Sequence, residues 1–158
     1  EEALSRPAVA ASAFIINSVD DLVHSATLGV AALQQQVQWW AGRSRYLQIL
    51  IARLLEKMDT VIITSDHGHI EGYGIGQWSM SAVADERALR TQIISANQGI
   101  TPPLPAQVMR WLAAGLPSTA QVYLPKELGL FMPLGQVGIS HGGAALEEVV
   151  VPFVTITR

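Results

Sequence analysis

The chain has 158 residues, 49% of them hydrophobic and 15% charged, with ten Lys and Arg against thirteen Asp and Glu, a net charge of −3 and no cysteine. That length suits one domain with a sizeable core, and so apolar a composition argues against disorder. A balance without any basic run leaves no electrostatic footprint for direct nucleic-acid binding; the missing cysteines remove disulfides, thiolate zinc sites and thiol nucleophiles, so any metal must be held by His and carboxylate.

The apolar stretches are interrupted well before the roughly 20 residues that span a bilayer. The chain starts at Glu1-Glu2 without Met and without a signal-peptide pattern. The expectation is a soluble, cytoplasmic protein, cut from something longer.

Ser12-Ala13-Phe14-Ile15-Ile16-Asn17 is a short apolar run that reads as a buried strand. The polar cluster Asp20-Asp21-Leu22-Val23-His24 follows. Residues 28–40 and 44–58 then show helical spacing. In the second, Leu47, Leu50, Ile51, Leu54 and Leu55 recur at intervals of three and four, so both read as helices packed on a sheet. After Asp59-Thr60, the run Val61-Ile62-Ile63-Thr64 is too continuously apolar for a half-solvated strand and reads as a central parallel one. It leads into Ser65-Asp66-His67-Gly68-His69, at the strand end where open α/β sheets place their sites.

Gly72-x-Gly74-x-Gly76 has the wrong spacing for a nucleotide fingerprint and no P-loop Lys, and reads as a mobile active-site loop. Residues 84–94 and 107–114 read as further helices, separated by Pro102-Pro103 and Pro105, and residues 115–138 as loops and short strands. Ser140-His141-Gly142-Gly143 reads as a turn, and residues 149–157 as one or two apolar strands around Pro152. Trp39-Trp40 and Trp111 are assigned to core or interdomain packing. The alternation of strands and helices favours an α/β fold, a mostly parallel sheet flanked by helices.

All four histidines lie in clusters with chemical content. Asp20-x-x-x-His24 puts a carboxylate and an imidazole on one helical face, able to share a cation; the plainer alternative is a helix start with Asp20 as its cap. Asp66-His67 can both turn toward a cation where a strand gives way to a loop, Gly68 allowing the sharp turn. The alternative there is an Asp cap and a His bonded to a nearby carbonyl. His69 reads as a supporting residue. His141 precedes two glycines that let its side chain reach into a site, and a serine triad with Ser140 is disfavoured without a Gly-x-Ser-x-Gly elbow. Arg87 and Arg90 can clamp an anion, or can form the solvated face of a helix, the latter slightly favoured.

Together, Asp20-x-x-x-His24, Thr64-Ser65-Asp66-His67-Gly68 and Ser140-His141-Gly142-Gly143 resemble, in order, the metal-ligand motifs of the alkaline phosphatase superfamily. The finer resemblance is to PglZ domains, through the stretch from Ile16 to His24 and the ending from Ser140 through Glu147-Glu148 to Pro152. It runs from about Phe14 to Pro152 and implies an alkaline-phosphatase-like core, incomplete at the N-terminal side. Residues 1–158 would then be the carboxyl-terminal portion of a PglZ domain.

The resemblance further implies two divalent ions, zinc with manganese as the rival. Asp20, His24 and His141 would hold one, and Asp66 and His67 the other. The superfamily's Ser or Thr nucleophile and a further ligand Asp have no matching position. The implied activity is metal-dependent hydrolysis of a phosphoric ester, in particular a phosphodiester, two ions roughly 4 Å apart polarising the phosphoryl group. Arg87 or Arg90 would hold the substrate anion. The chain by itself is expected to be inactive. The implied setting is prokaryotic phage defence of the BREX type, with a phosphoester substrate and other defence proteins as partners and no membrane. A non-catalytic assembly module of a defence complex is the alternative; a phosphomutase or sulfatase shares the ligand set.

Overall fold

The computed structural model describes residues 10–25, 29–78, 86–95, 103–112, 115, 117 and 119–158. Its elements are α1 (Ser18–Ser25), α2 (Gly29–Ser44), α3 (Tyr46–Leu55), β1 (Thr60–Thr64), β2 (Ile70–Gly74), β3 (Glu86–Arg87), β4 (Gln92–Ser95), β5 (Val108–Trp111), β6 (Ala120–Pro125), β7 (Gly129–Leu130), β8 (Val137–Ser140), α4 (Leu146–Val149) and β9 (Phe153–Thr157).

These strands form three small sheets, ordered β1-β9, β7-β2-β8 and β3-β4-β6-β5. The expected mostly parallel sheet is not what the chain forms. Only β2 and β7 run parallel, through Tyr73 opposite Gly129 and Gly74 opposite Leu130, and every other pair among the described residues is antiparallel. The physical reason lies in the connections. Parallel neighbours need crossovers of a dozen or more residues, whereas β3 and β4 are joined by a tight turn in which the Ala88 N–H donates to the Thr91 carbonyl at 2.8 Å.

Two helices fall where the periodicity puts them: α2 buries Leu33 and α3 buries Leu54. Other expectations need correction. Residues 10–16 form no strand, and Phe14 and Ile15 are exposed. Val61-Ile62-Ile63 is a strand, but its one partner among the described residues is β9, antiparallel, and its side chains are half exposed. A β-branched run reports fitness for a pleated surface, not how many neighbours the strand has. Residues 84–94 and 107–114 supply strands β3, β4 and β5 where helices were expected. Gly72 and Gly74 belong to β2, not to a loop, and the Leu128 and Pro133 carbonyls occupy the space a side chain would need.

The core lies on the four-stranded sheet. Trp78, Ile94, Val108, Tyr123 and Phe131 pack together, with the Trp78 ring edge-on to Tyr123 at 4.9 Å and stacked on Phe131 at 6.1 Å. The tryptophans assigned to packing do less: Trp39 and Trp111 are exposed. No helix of the described residues is long and apolar enough to cross a membrane.

Candidate metal centre

Three chain segments deliver the polar cluster. α1 begins where the Asp21 N–H donates to the Asn17 carbonyl at 2.9 Å, and Asp20 and Asp21 sit in its first turn, favoured by the helix dipole. β1 ends at Thr64 and the chain turns tightly: Ser65 Oγ donates to the His67 carbonyl at 2.6 Å, and Asp66 Oδ1 accepts the His67 N–H at 3.0 Å. β8 ends at Ser140, and His141 follows directly.

The His67 and His141 rings stack at 3.9 Å and 14°. His67 Nδ1–H donates to the Gly68 carbonyl at 3.0 Å, which leaves the Nε2 lone pair available to a cation. Asp20, His67 and His141 each offer one ligand atom, all within 4.8 Å of one another. A tetrahedral ion with bonds of about 2.0–2.2 Å holds its ligands some 3.3 Å apart, so small side-chain rotations close this group around one. One carboxylate and two imidazoles suit zinc, with manganese as the rival, and three protein ligands leave a position open.

This arrangement re-sorts the expected ligand sets. Asp20 and His141, expected at one ion, lie close together, and His67, expected at a second ion, lies with them. Asp66 lies outside the group, its side chain 85% exposed and Oδ2 3.7 Å from His67 Nε2. Its own backbone N–H and the neighbouring His67 hold the Asp66 carboxyl below its ordinary range. His69 is not in the group. The side chains of His24 and Arg87 lie outside the described residues, although their backbones belong to α1 and β3.

The sequence profile of the BREX system PglZ alkaline phosphatase-like domain matches residues 11–156. The chain belongs to this PglZ family. Among curated proteins none matches it.

Arg90 of this PglZ domain is neither a solvated helix residue nor presented to an anion. It is 1% exposed and paired with Glu148 in a fork: Nε donates to Oε1 at 3.0 Å and Nη2 to Oε2 at 2.7 Å. Nη1 donates to the carbonyls of Glu127 at 3.0 Å and Gly129 at 2.6 Å. Glu148 is the residue that sequence reasoning passed over. Its signal was a carboxylate inside the apolar run from Leu146 to Val151, where a buried charge requires a partner.

Burial pushes the Glu148 carboxyl up, but hydrogen bonds from Arg90 and from the Ala145 and Gly143 N–H groups outweigh it and hold the carboxyl below its ordinary range. A carboxyl depressed on folding stabilises the fold above its unfolded value of about 4.3 and loses that contribution as pH falls toward the folded value. Acid unfolding of the PglZ domain, followed by near-ultraviolet circular dichroism, should therefore steepen below about pH 4.3. A Glu148→Gln variant should lack that part of the slope; parallel slopes would show that Glu148 does not carry it.

Proposed function

We propose that this PglZ domain supplies cation ligands to a metal-dependent phosphoric ester hydrolase, specifically a phosphodiesterase, acting in the cytoplasm in phage defence of the BREX type. The observation that carries this reading is the convergence of Asp20, His67 and His141 from three separate segments. Asp20 would contribute the negative charge, and the Gly68 carbonyl holds the His67 proton on Nδ1, which would leave the Nε2 lone pair for an ion. His141, stacked on His67, contributes the second imidazole.

Asp20, His67 and His141 would hold a divalent cation, zinc or manganese, which would supply Lewis-acid stabilisation of a phosphoryl group. By the family resemblance, His24 would add to the ligands of one ion, Asp66 would belong to a second set that this chain leaves incomplete, and Arg87 would contact the substrate anion. The same resemblance assigns the Ser or Thr nucleophile to no residue of this chain. Turnover is therefore proposed for the protein that carries this domain, and the 158-residue chain is expected to bind the ion with negligible turnover.

The test uses bis(4-nitrophenyl) phosphate with the protein that carries the domain. Chelation should abolish hydrolysis, and added zinc or manganese should restore it. Hydrolysis that survives complete metal removal, verified by elemental analysis, would overturn the metal assignment. A metal-loaded protein inert toward phosphodiesters, phosphomonoesters and sulfates would overturn the hydrolase reading in favour of an assembly module.

A further inference from the structure

We propose that Arg90 and Glu148 are positioning residues that set the distance between His67 and His141. The inference rests on the reading that these two histidines hold a cation. Glu148 touches both histidine loops at once. Its Oε1 accepts the Gly143 N–H at 2.8 Å and its Oε2 the Ala145 N–H at 3.0 Å, two and four residues past His141. Its backbone carbonyl accepts the Gly68 N–H at 2.9 Å, one residue past His67.

The His141 loop presses on the Arg90–Glu148 pair, and the His67 loop on the backbone of Glu147 beside it. A Cβ on Gly143 would stand 2.5 Å from Arg90 Nη2 and 2.6 Å from Glu148 Oε2, closer than real Cβ atoms come. A Cβ on Gly68 would overlap the Glu147 carbonyl oxygen. The glycine after His67 is thus required by close approach, and so is the second glycine after His141. Gly142, at φ +98°, is required by its backbone conformation, and its carbonyl accepts a hydrogen bond from Thr91 Oγ1. Thr91 and the Arg90-bound carboxylate of Glu148 thereby hold the two sides of one peptide group in the His141 loop, the Gly142 carbonyl and the Gly143 N–H.

The pair is also tied down on its far side. Four of the five guanidinium donors are used, two of them on the carbonyls of Glu127 and Gly129. The Glu148 carboxylate accepts two bonds from Arg90 and two from backbone N–H groups, which fills its lone pairs. Stability alone does not call for such a pair, since buried ion pairs can often be replaced by apolar residues without loss. An apolar pair cannot, however, accept the Gly143 and Ala145 N–H groups. What the carboxylate adds is the placement of the His141 loop against the residue whose backbone carbonyl holds Gly68, as the outer partners of metal ligands commonly do.

The experiment compares the wild-type chain, the double variant Arg90→Met/Glu148→Leu and the variant Thr91→Val, which leaves the ion pair intact. Imidazole signals of His67 and His141 are read by proton–nitrogen correlation spectroscopy without metal, and zinc affinity by competition titration. The double variant is expected to move both histidines out of their stacked positions and to lower zinc affinity by about 10–100-fold. Thr91→Val should shift the His141 signals alone. A folded double variant with unchanged imidazole signals and affinity would overturn the proposal. If the double variant does not fold, unchanged His67 and His141 signals in the milder variant Glu148→Gln overturn it instead. Wild-type protein that binds no zinc would overturn the metal reading, while the metal-free imidazole signals would still judge the positioning.

Discussion

Replacing His141 by Ala is expected to lower zinc affinity by about 100-fold or more, because changing merely the outer partners of a metal ligand already costs about 10–100-fold. The group offers three ligand atoms within 4.8 Å, and removal of one leaves Asp20 and His67 to face the ion alone. The fold should survive, since His141 lies beyond the end of β8 and is only half-buried. Competition titration, with elemental analysis of the dialysed protein, reads the change. Equal zinc content in wild type and variant would remove His141 from the site. Asp66→Ala supplies the contrast: its carboxylate stands outside the group, so its loss should weaken this ion's binding far less than loss of Asp20. Equal losses for the two aspartates would show that the second ligand set contributes to the same ion.

Glu148→Ala is expected to lower stability by about 3–5 kcal/mol, the cost of stranding one member of a buried ion pair. The Arg90 guanidinium, 2% exposed, would keep its charge without its counterion, and the Gly143 and Ala145 N–H groups would lose their acceptor. At this chain length that corresponds to unfolding roughly 10 °C lower. Arg90→Ala should be comparably harmful at neutral pH but recover partly in acid, because a stranded carboxylate can take up a proton and a guanidinium cannot. Urea denaturation of both variants at neutral and acid pH measures the asymmetry. Losses below about 1 kcal/mol, the range of solvent-exposed ion pairs, would show that the pair is not buried in solution.

The parts of this structure legible in the sequence are those set by local rules. The apolar spacing from Leu47 to Leu55 is a property of one helix face, and α3 forms there. The run Val61-Ile62-Ile63 marks a strand, yet whether its neighbour runs parallel depends on β9, some ninety residues later, and nothing in the run records that. Arg87 and Arg90 at a spacing of three look helical until the chain turns between β3 and β4. The turn buries Arg90 against Glu148, 58 positions away, beyond any short-range rule. Asp20 and His141 were brought together by the order of motifs and its resemblance to a family, not by spacing. His67 lies with them in a loop packed on the backbone of Glu147 and Glu148, a long-range contact that no local pattern records.

The distance along the chain between positions 20, 67 and 141 has a consequence for folding. No helix, hairpin or other short unit contains more than one member of the cluster, so the three ligand atoms meet only in the folded chain. Loops of roughly 50 and 70 residues must close before the three ligands can share one ion, at an entropic cost that grows only slowly with length. The cation then favours the folded state alone and raises its stability by RT ln(1 + [L]/Kd), with little affinity for the unfolded chain to offset it. Thermal unfolding at graded zinc concentrations becomes a direct gauge of site assembly, even in a chain that turns nothing over.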